Sequence, residues 1–255
     1  MIAGQVDLSV GSSAAVSGMI LGNVVNSYGI ANGLLAVLVY GLVIGAINGF
    51  FVTVIGVNSL ITTLGTLATL YGIALLIGNG QTLMMKNFEW LGTAQPAGIP
   101  LPILIFFVIA VVGIITLRRT RFGRSLYAIG SNPNAARVVG IRSNRILFAT
   151  FVLSGLSSAL AGAILCSQLS AGDPNAARGL ELEVITAIVL GGASLAGGRG
   201  TMWGTIIGLT TIGVLNNGLI LLDVPTFWQR VAQGLMLILA VSFDATRERL
   251  AAKRR

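Results

Sequence analysis

Glu181 and Glu183 stand two residues apart where a polar stretch gives way to an apolar one. Such a pair could do acid–base work, or it could hydrogen-bond a polar solute at a membrane entrance. The same choice applies to Asp7 and Ser9, in Val6-Asp7-Leu8-Ser9-Val10-Gly11-Ser12, and to Asn216 and Asn217, which interrupt a long apolar run. The rest of the composition weighs against a reaction. The chain has no histidine and one cysteine, Cys166, set in an apolar run. The commonest general base and metal ligand is therefore missing. Ser194, in Gly192-Ala193-Ser194-Leu195, is superficially like a membrane protease serine, but a serine nucleophile needs a base. An aspartyl membrane protease needs two Asp on facing helices, and only Asp7 and Asp223 lie near apolar runs. These residue types favour holding and passing a polar solute over transforming it.

The elements that carry these residues belong in lipid. Of 255 residues, 55% are hydrophobic and 9% charged, with mean hydropathy +0.89. A soluble domain carries about 25% charged residues, so the surface of this chain requires an apolar solvent. A membrane helix needs about 20 mostly apolar residues, and such segments fall at 9–26, 31–56, 60–78, 97–117, 146–170, 200–222 and 226–243. An eighth, shorter stretch at 183–198 is interrupted by Gly191 and Gly192 and closed by Gly197 and Gly198. Broken helices in membranes are tolerated where they line a cavity or are buried in protein. The expected fold is an all-α polytopic transmembrane helical bundle of about eight segments, one of them broken or re-entrant. It is expected to form one domain over residues 1–255.

The formal net charge of +8 invites a nucleic-acid reading, but its distribution argues for membrane orientation. Arg118, Arg119, Arg121, Arg124, Arg137, Arg142 and Arg145 share one loop; Arg247, Arg249, Lys253, Arg254 and Arg255 share the C-terminal tail. Basic residues gathered in short segments between apolar runs mark the cytoplasmic side. With loop 118–145 inside, the crossings place residues 79–96 and 171–182 outside, and the tail 244–255 inside with the loop. No nucleic-acid partner is expected.

The loop has internal order. Asn132 can cap a helix with Pro133 at its first position, and Ala135, Ala136, Arg137, Val138 and Val139 continue it. Gly140 can end it in a left-handed conformation before Ile141. The apolar face of so short a helix needs a cover, either a partner protein or lipid headgroups. Glycines at small-xxx-small spacing, Gly18/Gly22, Gly41/Gly45/Gly49 and Gly204/Gly208, predict close helix packing, within the chain more readily than between chains.

Taken together, these segments resemble the ribose-type monosaccharide permeases of ABC importers, a pattern shared by permeases for autoinducer-2 and other pentoses and hexoses. The resemblance rests on the Asp-Leu-Ser-Val-Gly-Ser opening, the Gly-Arg-x-x-Tyr-Ala-x-Gly-x-Asn loop at 123–141, the Glu-Leu-Glu segment leading to Val-Leu-Gly-Gly-Ala-Ser-Leu-Ala-Gly-Gly at 181–200, and Asn216-Asn217-Gly218. It implies a multi-pass permease of the bacterial inner membrane with a cytoplasmic C-terminus, importing a ribose-like monosaccharide, autoinducer-2 or another small polar solute. Two permease chains, identical or paralogous, would enclose the path. A periplasmic binding protein would deliver the sugar, and a separate subunit would bind ATP and Mg. The chain has no Gly-x-x-x-x-Gly-Lys-[Ser/Thr] phosphate loop, so no cofactor is expected on it. Coupling to the ATPase falls to Gly130, Asn132, Ala135, Ala136, Arg137, Gly140 and Ile141. The path falls to Asp7, Ser9, Glu181, Glu183, Asn216 and Asn217, with the helix break at Gly191, Gly192, Gly197 and Gly198. Members of that family carry about two more membrane helices, each about 20 residues, ahead of the opening motif. The expectation is therefore either a late-assigned start or a shortened gene, and in the second case part of the path is missing.

Overall fold

The computed structural model describes residues 1–86 and 88–252. Its helices are α1 (Val10–Tyr28), α2 (Ile30–Phe50), α3 (Ser59–Ile77), α4 (Trp90–Thr93), α5 (Leu101–Arg119), α6 (Arg121–Ser131), α7 (Pro133–Val138), α8 (Ser143–Leu169), α9 (Leu180–Leu190), α10 (Met202–Leu221) and α11 (Thr226–Ala252). A π-helical turn, Phe51–Ile55, extends α2. The chain is an all-α polytopic membrane bundle. Among the described residues, five helices are long and apolar enough to cross a membrane: α2 with its π turn, α3, α5, α8 and α10. Large side chains such as Phe107 and Val108 on α5 stand exposed, as a lipid-facing surface requires.

The described residues form two compact units. One comprises Val6–Ile109 and Asn144–Glu181. Its centre is α1, rich in serine and glycine and buried over most of its length. A helix that touches protein on all sides must be narrow rather than apolar, and its polar atoms must find partners. Ser17 donates to the Ala159 carbonyl (2.7 Å), Ser12 to the Ser9 carbonyl (3.1 Å), and Ser13 accepts from Tyr40 (3.2 Å).

Glycine sets how closely the neighbours approach. Gly41, Gly45 and Gly49 of α2 lie against Ala159, Phe151 and Phe148 of α8 in turn, so these two helices run antiparallel. Gly18 lies against Gly162 and Cys166 of α8, and Gly22 against Gly172. With Ser154 beside Asp7, this sets α1 and α8 parallel. The predicted small-residue stripes thus pack within one chain. Strands β1 (Leu83–Met84) and β2 (Ala171–Gly172) pair antiparallel at the Gly22 end of α1. Asn26 fastens that end by donating to the Met84 carbonyl (2.8 Å) and accepting from Lys86 N–H (3.1 Å).

The other unit comprises Met1–Gln5, Ala110–Ser143 and the chain from Leu182 onward. There α9 and α10 form a hairpin whose backbones meet at small residues. A Cβ on Gly208 would collide with the Ala187 carbonyl, and one on Gly204 with the Gly191 carbonyl.

Several sequence expectations change. Loop 118–145 holds two helices, because Thr120 caps α6 by accepting from Gly123 N–H (3.1 Å) before Asn132 opens α7. The last helix does not stop at 243; α11 continues to Ala252, while Lys253, Arg254 and Arg255 of the expected tail lie outside the described residues. Residues 171–182 are not one loop, since they hold β2 and the start of α9. After β2 the chain turns back along α1, so that Ala177 and Glu181 lie against Gly11 whereas Gly172 lies against Gly22. On a helix those two glycines are about 16 Å apart. Residues 173–179 therefore form a descending strap, and α9 starts partway along the bundle.

Candidate solute cavity and coupling junction

The strap and α1 border a half-open cavity of ≈150 Å³ lined by Gly11, Ser12, Ala15, Leu67, Tyr71, Pro174, Arg178 and Glu181. Gly11 is required there, since a Cβ would collide with the Glu181 carboxylate and the Ala177 carbonyl. Arg178 lies over the Tyr71 ring, its guanidinium carbon 5.4 Å from the centroid, within cation–π range. The Tyr71 hydroxyl donates to Asn175 Oδ1 (3.1 Å), and Asn175 N–H donates to Asp173 Oδ1 (2.9 Å). The strap thus carries its own arginine to the cavity and steadies it on an aromatic face. Glu181, in the first turn of α9, benefits from the partial positive charge of that helix end.

Glu183 does not join Glu181 in a carboxylate pair, because residues i and i+2 of a helix point to different faces. Its Oε1 instead accepts from Asn216 Nδ2 on α10 (2.9 Å), and Asn216 Oδ1 accepts from Gln233 Nε2 on α11 (3.2 Å). A polar chain therefore ties α9, α10 and α11 together. Asn217 is exposed and does not belong to that chain.

Asp7 and Ser9 lie at a packing hub and not on the cavity wall. Asp7 Oδ1 accepts from Ser9 N–H (3.0 Å) and the Ser9 hydroxyl (2.6 Å), and Oδ2 accepts from the Ser154 hydroxyl (2.7 Å). Ser9 Oγ also accepts from Asn48 Nδ2 (3.0 Å), whose Oδ1 accepts from Thr66 (2.7 Å). This network joins α1, α2, α3 and α8 at the start of α1.

The Asn132 side chain accepts from Asn134 N–H (3.1 Å) and Ala135 N–H (3.0 Å), and Gly140 ends the turn with φ of 82°. Ala136 is buried while Val138 and Val139 are 88% and 74% exposed. The loop is joined to the helix break. Gly198 N–H donates to the Ile2 carbonyl (2.7 Å), and a Cβ on Gly130 would strike that same carbonyl. Tyr127 donates to the Gly200 carbonyl (2.7 Å). Gly192, Gly197 and Gly198 have φ of 86°, 91° and 74°, a left-handed run that stops α9 and turns the chain into α10. Gly191 serves packing instead, against Gly204.

Sequence reasoning missed Ser12, Tyr71, Arg178, Tyr127 and Gln233. Arg178 and Gln233 carried a usable signal, each being a strongly polar side chain beside or within an apolar run. Tyr127 stood within the Gly-Arg-x-x-Tyr-Ala motif without a role assigned to it, whereas Tyr71 carried no signal that separates it from ordinary interfacial tyrosines.

Long apolar helices, together with a half-length helix that starts beside a polar cavity and ends at a glycine break, define a polytopic membrane protein with the broken-helix construction used by transport proteins. The family model described as branched-chain amino acid transport system / permease component matches residues 1–241, and the chain belongs to that family. It is 39% identical over 248 residues to the ribose import permease protein RbsC of Escherichia coli (strain K12), covering 94% of this chain and 77% of that protein. Over 256 residues it is 42% identical to the RbsC of Bacillus subtilis (strain 168), covering 96% and 77%. The L-arabinose ABC transporter permease protein AraH of Azospirillum brasilense is 40% identical over 251 residues, covering 96% and 73%. No solved structure matches the chain significantly.

Proposed function

We propose that this chain is the membrane-spanning subunit of an ATP-driven importer that passes a pentose or similar monosaccharide inward unchanged. ATP would be hydrolysed on a separate subunit, and a binding protein outside the membrane would hand over the sugar. A second permease chain would complete the path. The observation that carries this reading is the junction of loop and helix break. An exposed apolar pair, Val138 and Val139, sits just beyond a capped turn, and the helix leading into that turn is hydrogen-bonded to Gly200. A motor subunit gripping α7 would pull on the Gly197–Gly200 break. Because α9 ends at that break, the pull would reach the helix that carries both Glu181 and Glu183. The names of the ribose and arabinose relatives support a monosaccharide as the cargo.

Sidedness and docking can be tested together. Ser131→Cys in sealed cells should resist a membrane-impermeant thiol reagent added outside and react once the cells are opened. Val138→Cys should crosslink to the ATP-binding subunit of the importer. Labelling of Ser131→Cys from outside would overturn the coupling assignment.

A further inference from the structure

The cavity beside Gly11 restricts what it can hold. At ≈150 Å³, it matches a cavity that accommodates about one six-membered ring. Two charged side chains of opposite sign reach it, Arg178 and Glu181. A carboxylate only accepts hydrogen bonds and a guanidinium only donates them. Hydroxyls on neighbouring carbons each donate one hydrogen and accept another, so a vicinal diol satisfies both groups at once. An anionic solute would meet Glu181 and a cationic one Arg178, whereas a neutral solute incurs neither repulsion. Leu67 and Pro174 add apolar wall suited to the C–H face of a ring. The arginine is held in place by its stacking on Tyr71, which Asn175 anchors in turn.

We infer that this cavity is a binding station within the membrane for a single neutral monosaccharide ring. Its vicinal hydroxyls lie between Glu181 and Arg178, with Tyr71 fixing the arginine's position. The inference rests on the monosaccharide reading above and adds the place, the size limit and the residues that select the ring. The selecting residues are Glu181, by accepting, and Arg178, by donating. A disaccharide exceeds the station.

Protection of an introduced thiol tests this directly. Ser12→Cys in the full chain, in lipid nanodiscs, is labelled with a small methanethiosulfonate; wild type, whose Cys166 is buried, gives the background. Leu67→Cys on another wall serves as a second reporter. D-ribose or L-arabinose at ten times its dissociation constant should slow labelling about tenfold, and maltose should not. Glu181→Gln and Tyr71→Ala, each added to the reporter, should abolish the protection. No labelling at either position, no protection by either pentose, or equal protection by maltose overturns the station. Pentose uptake by the complete transporter is measured in parallel. Uptake without protection defeats the station alone, whereas absence of uptake defeats the monosaccharide reading.

Discussion

The hydroxyl of Tyr127 donates to the backbone carbonyl of Gly200 at 2.7 Å. This bond joins the helix leading into the Asn132-capped turn to the end of the break between α9 and α10. The break closes on itself through buried Ser194, which accepts from Ala196 N–H (3.2 Å), and it is also held from outside. Tyr127, Gly130 and the first residues of the chain hold it there.

Tyr127→Phe removes that bond and little volume. A neutral hydrogen bond contributes about 1 kcal/mol, so uptake per ATP hydrolysed should fall roughly fivefold while insertion is unchanged. Sugar transport and phosphate release measured on the same vesicles give the ratio, and an unaltered ratio removes Tyr127 from the coupling route.

Val138→Asp combined with Val139→Asp places two charges on the exposed end of α7. Both side chains already face outward, so the fold should tolerate the change. Co-purification of the ATP-binding subunit should drop about tenfold or more, since a charge buried against an apolar surface costs well over 1.4 kcal/mol. Undiminished co-purification would mean that α7 rests on lipid headgroups.

Asp7 accepts three hydrogen bonds at the hub where four helices meet. Asp7→Ala should lower stability by about 2–4 kcal/mol, since hydrogen bonds to charged groups contribute more than neutral ones. The readout is the heating midpoint followed by fluorescence-detected gel filtration. Uptake per inserted molecule should stay near wild type. A normal midpoint with lost uptake would instead favour the transport role that the sequence suggests for Asp7.

Gly208→Leu forces α10 away from the Ala187 carbonyl. Overpacking costs typically about 1–3 kcal/mol, and here the obstacle is backbone that cannot rotate aside. The variant should accumulate poorly. Gly213→Leu, on the same helix but with open space around it, should accumulate normally.

The legible parts of this protein were those set by local chemistry. Asn132, Pro133 and Gly140 spell out a short helix from cap to end, and the structure forms it at residues 133–138. Apart from the end of α11, the apolar runs located the long helices within a few residues, since lipid forces a backbone that satisfies itself. The glycine stripes foretold close packing because in lipid only small residues bring backbones together. Depth was not legible. Glu181 looked like a group at the membrane surface because a polar strap precedes it. That strap turns back beside α1, and only the fit of Ala177 and Glu181 against Gly11 shows it. Asp7 looked like a group on the path for the opposite reason: its partners Ser154 and, through Ser9, Asn48 are far away in sequence. Tyr71 gave no signal because its partners, Asn175 and Arg178, come from that same returning strap.

The central claim is that this chain carries a monosaccharide under the drive of a separate ATPase. The most direct measurement reconstitutes it in proteoliposomes with its ATP-binding and sugar-binding partner proteins. Radiolabelled D-ribose and L-arabinose are supplied on the binding-protein side and ATP on the other. The account predicts that at least one pentose accumulates only when ATP and the binding protein are both present, and that Gly11→Leu, which closes the cavity, abolishes accumulation. Failure of both pentoses to accumulate, or accumulation that persists without ATP, would contradict it.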